Sequence, residues 1–257
     1  MGKHLSLLMM NTGRKFDRLV IIMAAMAVFE LICYFAIGSK AADAVGTPLN
    51  SFSIVISTSG IWTGYIGGLL LTALLVSREP SKKSNAQTEL TMMRLEISER
   101  TAYFWSIIGN ALRCLLITAY QTVLIFMIWK IYQGSGVSNT TELQQYMEFN
   151  GIRILSWFFP TSSLMGWLDV LIIALSFGLL GTAINIKRMK VSKIILFIWI
   201  GYLMIHLMTQ IGFSFDDSMM LLRVTLLGTD LGFMFYLLVI AHDGKNANNT
   251  ELRGETI

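Results

Sequence analysis

Residues 19–38 read LVIIMAAMAVFELICYFAIG, a run of twenty residues in which Glu30 is the only Asp, Glu, Lys or Arg. About 20 apolar residues are enough for a helix to cross the roughly 30 Å hydrocarbon core of a bilayer. Five further apolar stretches of similar length follow at 54–76, 104–129, 166–186, 194–211 and 219–241. The sequence therefore predicts an all-α polytopic membrane protein, with six transmembrane helices over residues 19–241.

The loops between these stretches alternate between rich and poor in Lys and Arg. With the N-terminus in the cytoplasm, the inner side receives fifteen: Lys3, Arg14, Lys15, Arg18, Arg78, Lys82, Lys83, Arg94, Arg100, Lys187, Arg188, Lys190, Lys193, Lys245 and Arg253. The outer side receives only Lys40, Lys130 and Arg153. Cytoplasmic loops carry the excess of positive charge in membrane proteins. Both termini are therefore predicted to be cytoplasmic.

The composition agrees with a membrane protein. Hydrophobic residues make up 54% of the chain, charged residues 14%, and the mean hydropathy is +0.61. The chain has a net charge of +4, and nearly all of the positive excess lies in the inner loops. Membrane insertion and anionic headgroups account for it there, so no nucleic-acid partner is expected. Cys33 and Cys114 both fall inside spans, and no metal-ligand spacing occurs, so we expect neither a disulfide framework nor a bound metal.

Three segments flank or interrupt the spans. Apolar residues recur at helical spacing within 1–18, which predicts an amphipathic helix in the inner interface; a disordered basic tail is the alternative. The outer segment 140–161 predicts an interfacial helix closed by Pro160, serving as an external cap or as a simple anchor. The polar residues 242–257 predict a disordered cytoplasmic tail.

The inner loop after the second span contains a helical pattern at about 87–99. Leu90, Met93 and Ile97 share one face, and Glu96 can pair with Arg100 one turn later. An amphipathic helix at this position either lies on lipid or docks to another protein. Its nearly balanced charge favours docking, because a helix that binds anionic lipid is usually more basic.

Ionisable residues inside spans indicate where the helices meet, because each costs about 2.5–3.5 kcal/mol at the bilayer centre and needs a partner. Glu30 and Arg113 lie at similar distances from the predicted inner ends of their spans, and Asp169 and Arg223 lie near the outer ends. We therefore expect two buried ion pairs, Glu30–Arg113 and Asp169–Arg223. Asp230 has no assigned partner.

The third span carries a polar stripe. Asn110, Arg113, Tyr120 and Gln121 fall near one helical face, together with two apolar residues. This face is either one wall of a translocation path or a surface that hydrogen-bonds to neighbouring helices. In the second span, Gly60, Gly64 and Gly68 form overlapping G-x-x-x-G steps, which permit close helix approach.

Motifs for catalysis are weak. No G-x-x-x-x-G-K-[ST] occurs, so the sequence contains no P-loop for nucleotide. Ser59 in the second span and His206 in the fifth would suit an intramembrane serine hydrolase if they met. A packed histidine is the simpler interpretation of His206, and no catalytic residue is assigned.

The six spans, the N-terminal amphipathic helix and the docking helix together resemble an ABC transporter permease of the type-2 exporter class. Residues 91–100, TMMRLEISER, are similar to the family segment T-M-x-R-L-P-I-S-R, with Glu96 where proline is usual. Asn110 stands where the family often has a lysine early in the third span.

The resemblance implies a coupling helix that inserts into a separate ATPase subunit, present in two copies, which would bind ATP and Mg. The coupling residues it implies are Leu90, Met93, Arg94, Leu95, Glu96 and Ile97. It also implies a second permease chain, identical or homologous, and export of an amphiphile such as a peptide, an antibiotic or a lipid-like molecule across a bacterial plasma membrane. The alternatives are a non-ABC transporter, a channel or a scaffold.

Overall fold

The computed structural model describes residues 16–38, 51–76, 99–134, 164–185 and 193–212. It also describes seven separate positions between 224 and 235: Val224, Thr225, Gly228, Thr229, Leu231, Gly232 and Phe235. These parts of the chain are entirely helical and contain no strand. The predicted helical class is confirmed for them.

Within the five continuous described ranges, six α-helices follow one another. They are α1 (Phe16–Cys33), α2 (Ser51–Ser59), α3 (Ile61–Leu71), α4 (Glu99–Gly134), α5 (Leu164–Asn185) and α6 (Lys193–Gly212). Two of them continue directly into wider π-helical turns, α1 into Tyr34–Gly38 and α3 into Thr72–Val76.

Among the described residues, three helical stretches are long and apolar enough to cross a bilayer: Phe16–Gly38, Phe104–Gly134 and Gly166–Ile184. Two shorter apolar helices accompany them, Ile61–Leu75 and Leu196–Leu207. The chain is thus a membrane protein with at least these three candidate spans. The full set of six spans and the inner location of both termini stay predictions.

The second predicted span is two helices rather than one. Gly60 separates α2 from α3 with a φ of 69°, a left-handed conformation that an L side chain rarely adopts. The Thr63 hydroxyl and backbone N–H both donate to the Gly60 carbonyl, at 2.6 and 2.9 Å, and close the first turn of α3. The first glycine of the G-x-x-x-G series therefore bends the chain, while the other two pack.

Gly64 and Gly68 bring α3 against α1 in antiparallel orientation. A Cβ on Gly64 would lie 2.9 Å from Glu30 Cγ, and a Cβ on Gly68 would overlap the Met26 side chain. Further along, Arg18 Nη1 donates to the Leu75 carbonyl at 3.2 Å. The glycines thus permit close helix approach within one chain.

The long helix α4 packs on α2 and α3 on one side and on α5 on the other. The Tyr65 hydroxyl of α3 lies 3.0 Å from Thr118 Oγ1 of α4. The ring of Phe52 in α2 packs on the ring of Tyr132 in α4, with 5.1 Å between their centroids. On the other side, a Cβ on Gly178 would lie 2.7 Å from the Ala111 backbone nitrogen, so α5 meets α4 backbone to backbone.

The outer surface of the described helices is apolar, as their core is. Large apolar side chains point outward, among them Ile21, Phe29, Phe35, Val123, Met127, Phe197 and Ile205. Among the described residues, two carboxyl groups and one guanidinium group are buried, Glu30 and Asp169 at 0% exposure and Arg113 at 3%. Lipid solvates the apolar exterior, and charged groups must find partners inside the bundle.

Several predicted features lie outside the described residues. They are residues 1–15 of the predicted interfacial helix, residues 87–98 of the coupling helix, the outer segment 140–161, the tail 242–257, and the side chains of Arg223 and Asp230. Residues 16–18 form the first turn of α1.

Candidate functional site

The candidate site is the buried polar face of α4. Asn110, Arg113, Thr118 and Gln121 are all at most 7% exposed, although the helix crosses an apolar environment. From Asn110 to Gln121 the face rises about 16 Å along the helix axis, at about 1.5 Å per residue. The opposite face of the same helix exposes residues such as Leu116. The polar groups therefore form a column inside the bundle.

At one end of the column, four groups form a chain of hydrogen bonds between α4 and α5. Arg113 Nη1 donates to Asn110 Oδ1, and Asn110 Nδ2 donates to Thr182 Oγ1 at 3.0 Å. The Thr182 hydroxyl in turn donates to the Gly178 carbonyl at 2.9 Å. Each donor in the series finds an acceptor, so α4 and α5 are held together by polar groups as well as by close packing.

In the middle of the column, α4 contacts α3 through two hydroxyl groups. Thr118 Oγ1 lies 3.0 Å from the Tyr65 hydroxyl and itself donates to the Cys114 carbonyl. Tyr65 is 1% exposed, so its hydroxyl has no access to bulk solvent. A buried tyrosine needs such a partner for its polar end.

At the other end, α4 contacts α1 through Gln121 and Glu30. Gln121 Nε2 donates to Glu30 Oε2 at 3.0 Å, and both residues are at 0% exposure. Gly64 of α3 lies against the same carboxyl group. One face of a single helix therefore reaches α5, α3 and α1 in succession.

The predicted Glu30–Arg113 ion pair is replaced by other contacts. Glu30 accepts a hydrogen bond from Gln121, and Arg113 donates to Asn110. Counting residues from the predicted span ends therefore did not identify the residue of α4 that lies opposite Glu30, which is Gln121. Asp169 is fully buried as expected, while its predicted partner Arg223 lies outside the described residues, so that pairing stays a prediction.

Of the four translocation-path candidates, Asn110, Arg113 and Gln121 belong to this column, and Tyr120 precedes Gln121 in α4. Asn110, Arg113 and Gln121 are buried in contacts with other side chains, and Tyr120 is partly buried. Hydrogen bonds to neighbouring helices, one of the two interpretations of the stripe, are present for Asn110 and Gln121. Whether this face lines a translocation path stays a prediction.

The residues of the hydrolase alternative have other partners. Ser59 Oγ donates to the Ile56 carbonyl of its own helix at 3.2 Å. The His206 ring lies 6.3 Å from the Tyr202 ring, centroid to centroid, and is fully buried. Within the described residues no hydrogen bond joins Ser59 to His206, so the structure provides no serine–histidine arrangement. The same part of the chain holds no cluster of His, Cys, Asp or Glu suited to a metal ion.

Sequence reasoning missed the partners of the column on other helices, namely Tyr65, Gly178 and Thr182. A signal for two of them was present, because Gly178 and Thr182 form a small-x-x-x-small step of the kind that lets membrane helices approach. Tyr65 gave no such signal. No protein-family model, curated protein or solved structure matches this chain.

Proposed function

We propose that this chain is the transmembrane permease subunit of an ATP-driven exporter of the ABC type-2 class. A separate ATPase subunit would bind ATP and Mg, since the sequence contains no P-loop. Two permease chains, each with six spans and both termini in the cytoplasm, would face each other across the substrate route. The coarser conclusion, a helical membrane protein, stands independently of this proposal.

The observation that carries the proposal is that α4 begins within the segment similar to the coupling motif. That segment ends at Glu99 and Arg100, and α4 runs from Glu99 to Gly134 without a break. A helix of 36 residues is about 54 Å long and stiff on this scale. A displacement of its cytosolic end would therefore be carried into the membrane.

The buried polar column lies on the same helix, so a displacement of α4 would disturb the hydrogen bonds of the column. Moving α4 would change the contacts of Asn110 with Thr182, of Thr118 with Tyr65, and of Gln121 with Glu30. These polar groups would then become available to a substrate between the helices. A route that alternates such groups with apolar side chains suits an amphiphile, such as a peptide, an antibiotic or a lipid-like molecule.

The test is a co-purification of the full-length chain with its ATPase. The reading frame adjacent to this gene is where a P-loop ATPase is expected. Met93→Glu and Ile97→Glu place charge on the apolar face of the coupling helix, whereas Ser84→Glu adds the same charge in the polar part of that loop. We expect the first two variants to lose both the complex and the stimulated ATP turnover, and Ser84→Glu to keep them.

The opposite outcome would overturn the proposal. If Met93→Glu and Ile97→Glu bind the ATPase as wild type does and support the same turnover, residues 87–99 are not a coupling helix. Equal amounts of folded membrane-inserted protein in all three variants exclude a general folding defect as the cause of a lost complex.

A further inference from the structure

Glu30 is the most enclosed carboxyl group of α1. Its side chain is 0% exposed, and its Oε2 accepts one hydrogen bond, from Gln121 Nε2 at 3.0 Å. On the other side, a Cβ on Gly64 would lie 2.9 Å from Glu30 Cγ and 3.0 Å from Oε1. The carboxyl group is thus packed between α3 and α4, in the apolar part of a candidate membrane span.

The groups around Glu30 carry no compensating positive charge within the described residues. Its own helix contributes the Cys33 thiol and α4 the Tyr120 hydroxyl, two titratable groups that interact with it electrostatically. From α3 it faces Gly64. Two described cations of α4 have other partners. Arg113 donates to Asn110, about two helical turns from Gln121, and Lys130 donates to Gln133 and lies over the Trp129 ring.

An ionised carboxylate is poorly stabilised in this environment. A single amide hydrogen bond offsets only a small part of the cost of taking a charge out of water, which amounts to several kcal/mol or more. The neutral carboxylic acid avoids most of that cost. It also needs something that a carboxylate does not, an acceptor for its O–H.

Each of the two side chains has one oxygen that is open to such a bond. Glu30 Oε1 and Gln121 Oε1 are both buried and have no hydrogen-bond partner among the described residues. If Glu30 is ionised, both oxygens are acceptors and neither can satisfy the other. One proton on Glu30 Oε1 converts them into a donor and an acceptor.

We propose that Glu30 is a proton-binding site and that it forms a cyclic carboxylic acid–carboxamide pair with Gln121. Gln121 Nε2 donates to Glu30 Oε2, and the protonated Oε1 of Glu30 donates to Gln121 Oε1. The proton comes from water and returns to water on release, so no other reactant is required. The bound proton joins α1 to α4, and its release would weaken that contact. This inference does not depend on the exporter proposal.

Infrared spectroscopy tests the site directly on the purified full-length protein in lipid vesicles. A protonated carboxyl group gives a C=O band distinct from the amide and carboxylate bands. We expect this band at neutral pH in wild type, its loss in Glu30→Gln, and its retention in the matched control Asp169→Asn. A shift of the band in Gln121→Leu would support the pairing. A spectrum unchanged in Glu30→Gln would overturn the proposal.

The pH dependence of unfolding provides a second measurement. The bound proton determines whether stability rises or falls with pH. At neutral pH the folded site holds the proton, whereas a solvated Glu in the unfolded chain releases it above about pH 4.3. The folded-to-unfolded ratio therefore falls about tenfold per pH unit as the pH rises, until the folded site releases its proton. In Glu30→Gln, which keeps both hydrogen bonds as an amide–amide pair, this component is absent.

The measurement is made in mixed micelles by reversible detergent unfolding of both proteins across the neutral range. Equal pH slopes for wild type and Glu30→Gln would overturn the proposal. A second result would also overturn the proposal. If sodium stabilises wild type more than choline does, and Glu30→Gln lacks this difference, the site holds a metal cation rather than a proton. Higher stability of Glu30→Gln than wild type at alkaline pH is the result that supports it.

Discussion

Gly178→Ala should separate α4 from α5. The added Cβ would lie 2.7 Å from the Ala111 backbone nitrogen and 2.8 Å from the Ile107 carbonyl oxygen. Ordinary contacts between such heavy atoms are about 3.5–4.0 Å, so the helices must move apart by about 1 Å. Because both opposing atoms belong to the backbone of α4, no side-chain rotation can relieve the overlap.

The magnitude follows from two opposing effects. Overpacking of this kind costs about 1–3 kcal/mol, and the Asn110–Thr182 hydrogen bond across the same contact adds up to about 1 kcal/mol when it is strained. Replacing glycine by alanine inside a helix returns about 0.5–1 kcal/mol. Together these contributions lower the free energy of unfolding of Gly178→Ala by up to about 3.5 kcal/mol.

Gly67→Ala is the matched control. Gly67 lies inside α3, and a Cβ there would meet nothing within 4 Å. It should leave the free energy of unfolding unchanged or raise it by up to about 1 kcal/mol. The assay is reversible unfolding of the full-length protein by a denaturing detergent in mixed micelles, followed by helical circular dichroism. If Gly178→Ala proves as stable as Gly67→Ala, the close α4–α5 contact is refuted.

Three further predictions concern the column and the topology. Asn110→Leu should lower the free energy of unfolding by about 0.6–1.7 kcal/mol in the same assay, because it removes an interhelix hydrogen bond; no change would show that the bond is dispensable. Exchanging Glu30 and Arg113 by a double charge reversal should fail to rescue the expression lost by either single reversal, because the two side chains have different partners; rescue would restore the ion pair. In a background without the two native cysteines, an impermeant thiol reagent outside intact cells should label Thr140→Cys but not Ser84→Cys, and the reverse pattern would overturn the predicted orientation.

The sequence was sufficient to predict the class of protein, a helical membrane protein. Runs such as 19–38 are too apolar and too long for a water-soluble surface, and they predict helices because a backbone in lipid must satisfy its own hydrogen bonds. The buried state of Glu30, Arg113 and Asp169 was predictable for the same reason, since an ionisable group inside a span avoids lipid. The interhelix role of Gly64 followed from its spacing.

The sequence alone did not predict where the helices break and where they end. The hydropathy of residues 54–76 is high throughout and does not indicate that Gly60 is left-handed. A glycine has the same hydropathy inside a helix as between two helices. In α4 the polar residues of both ends continue the helix beyond the apolar run. The ends of α4 therefore differ from the span ends that hydropathy predicts.

The partners inside the bundle were decided by the tertiary structure. Glu30 and Arg113 have opposite charges, and charge alone favours their pairing. Packing of α1 on α3 at Gly64 places the Glu30 carboxyl level with Gln121 instead, while Arg113 lies beside Asn110. A sequence determines that a charge in a membrane needs a partner. Which partner it receives depends on helix register, and register is set by the close contacts of many small and apolar side chains.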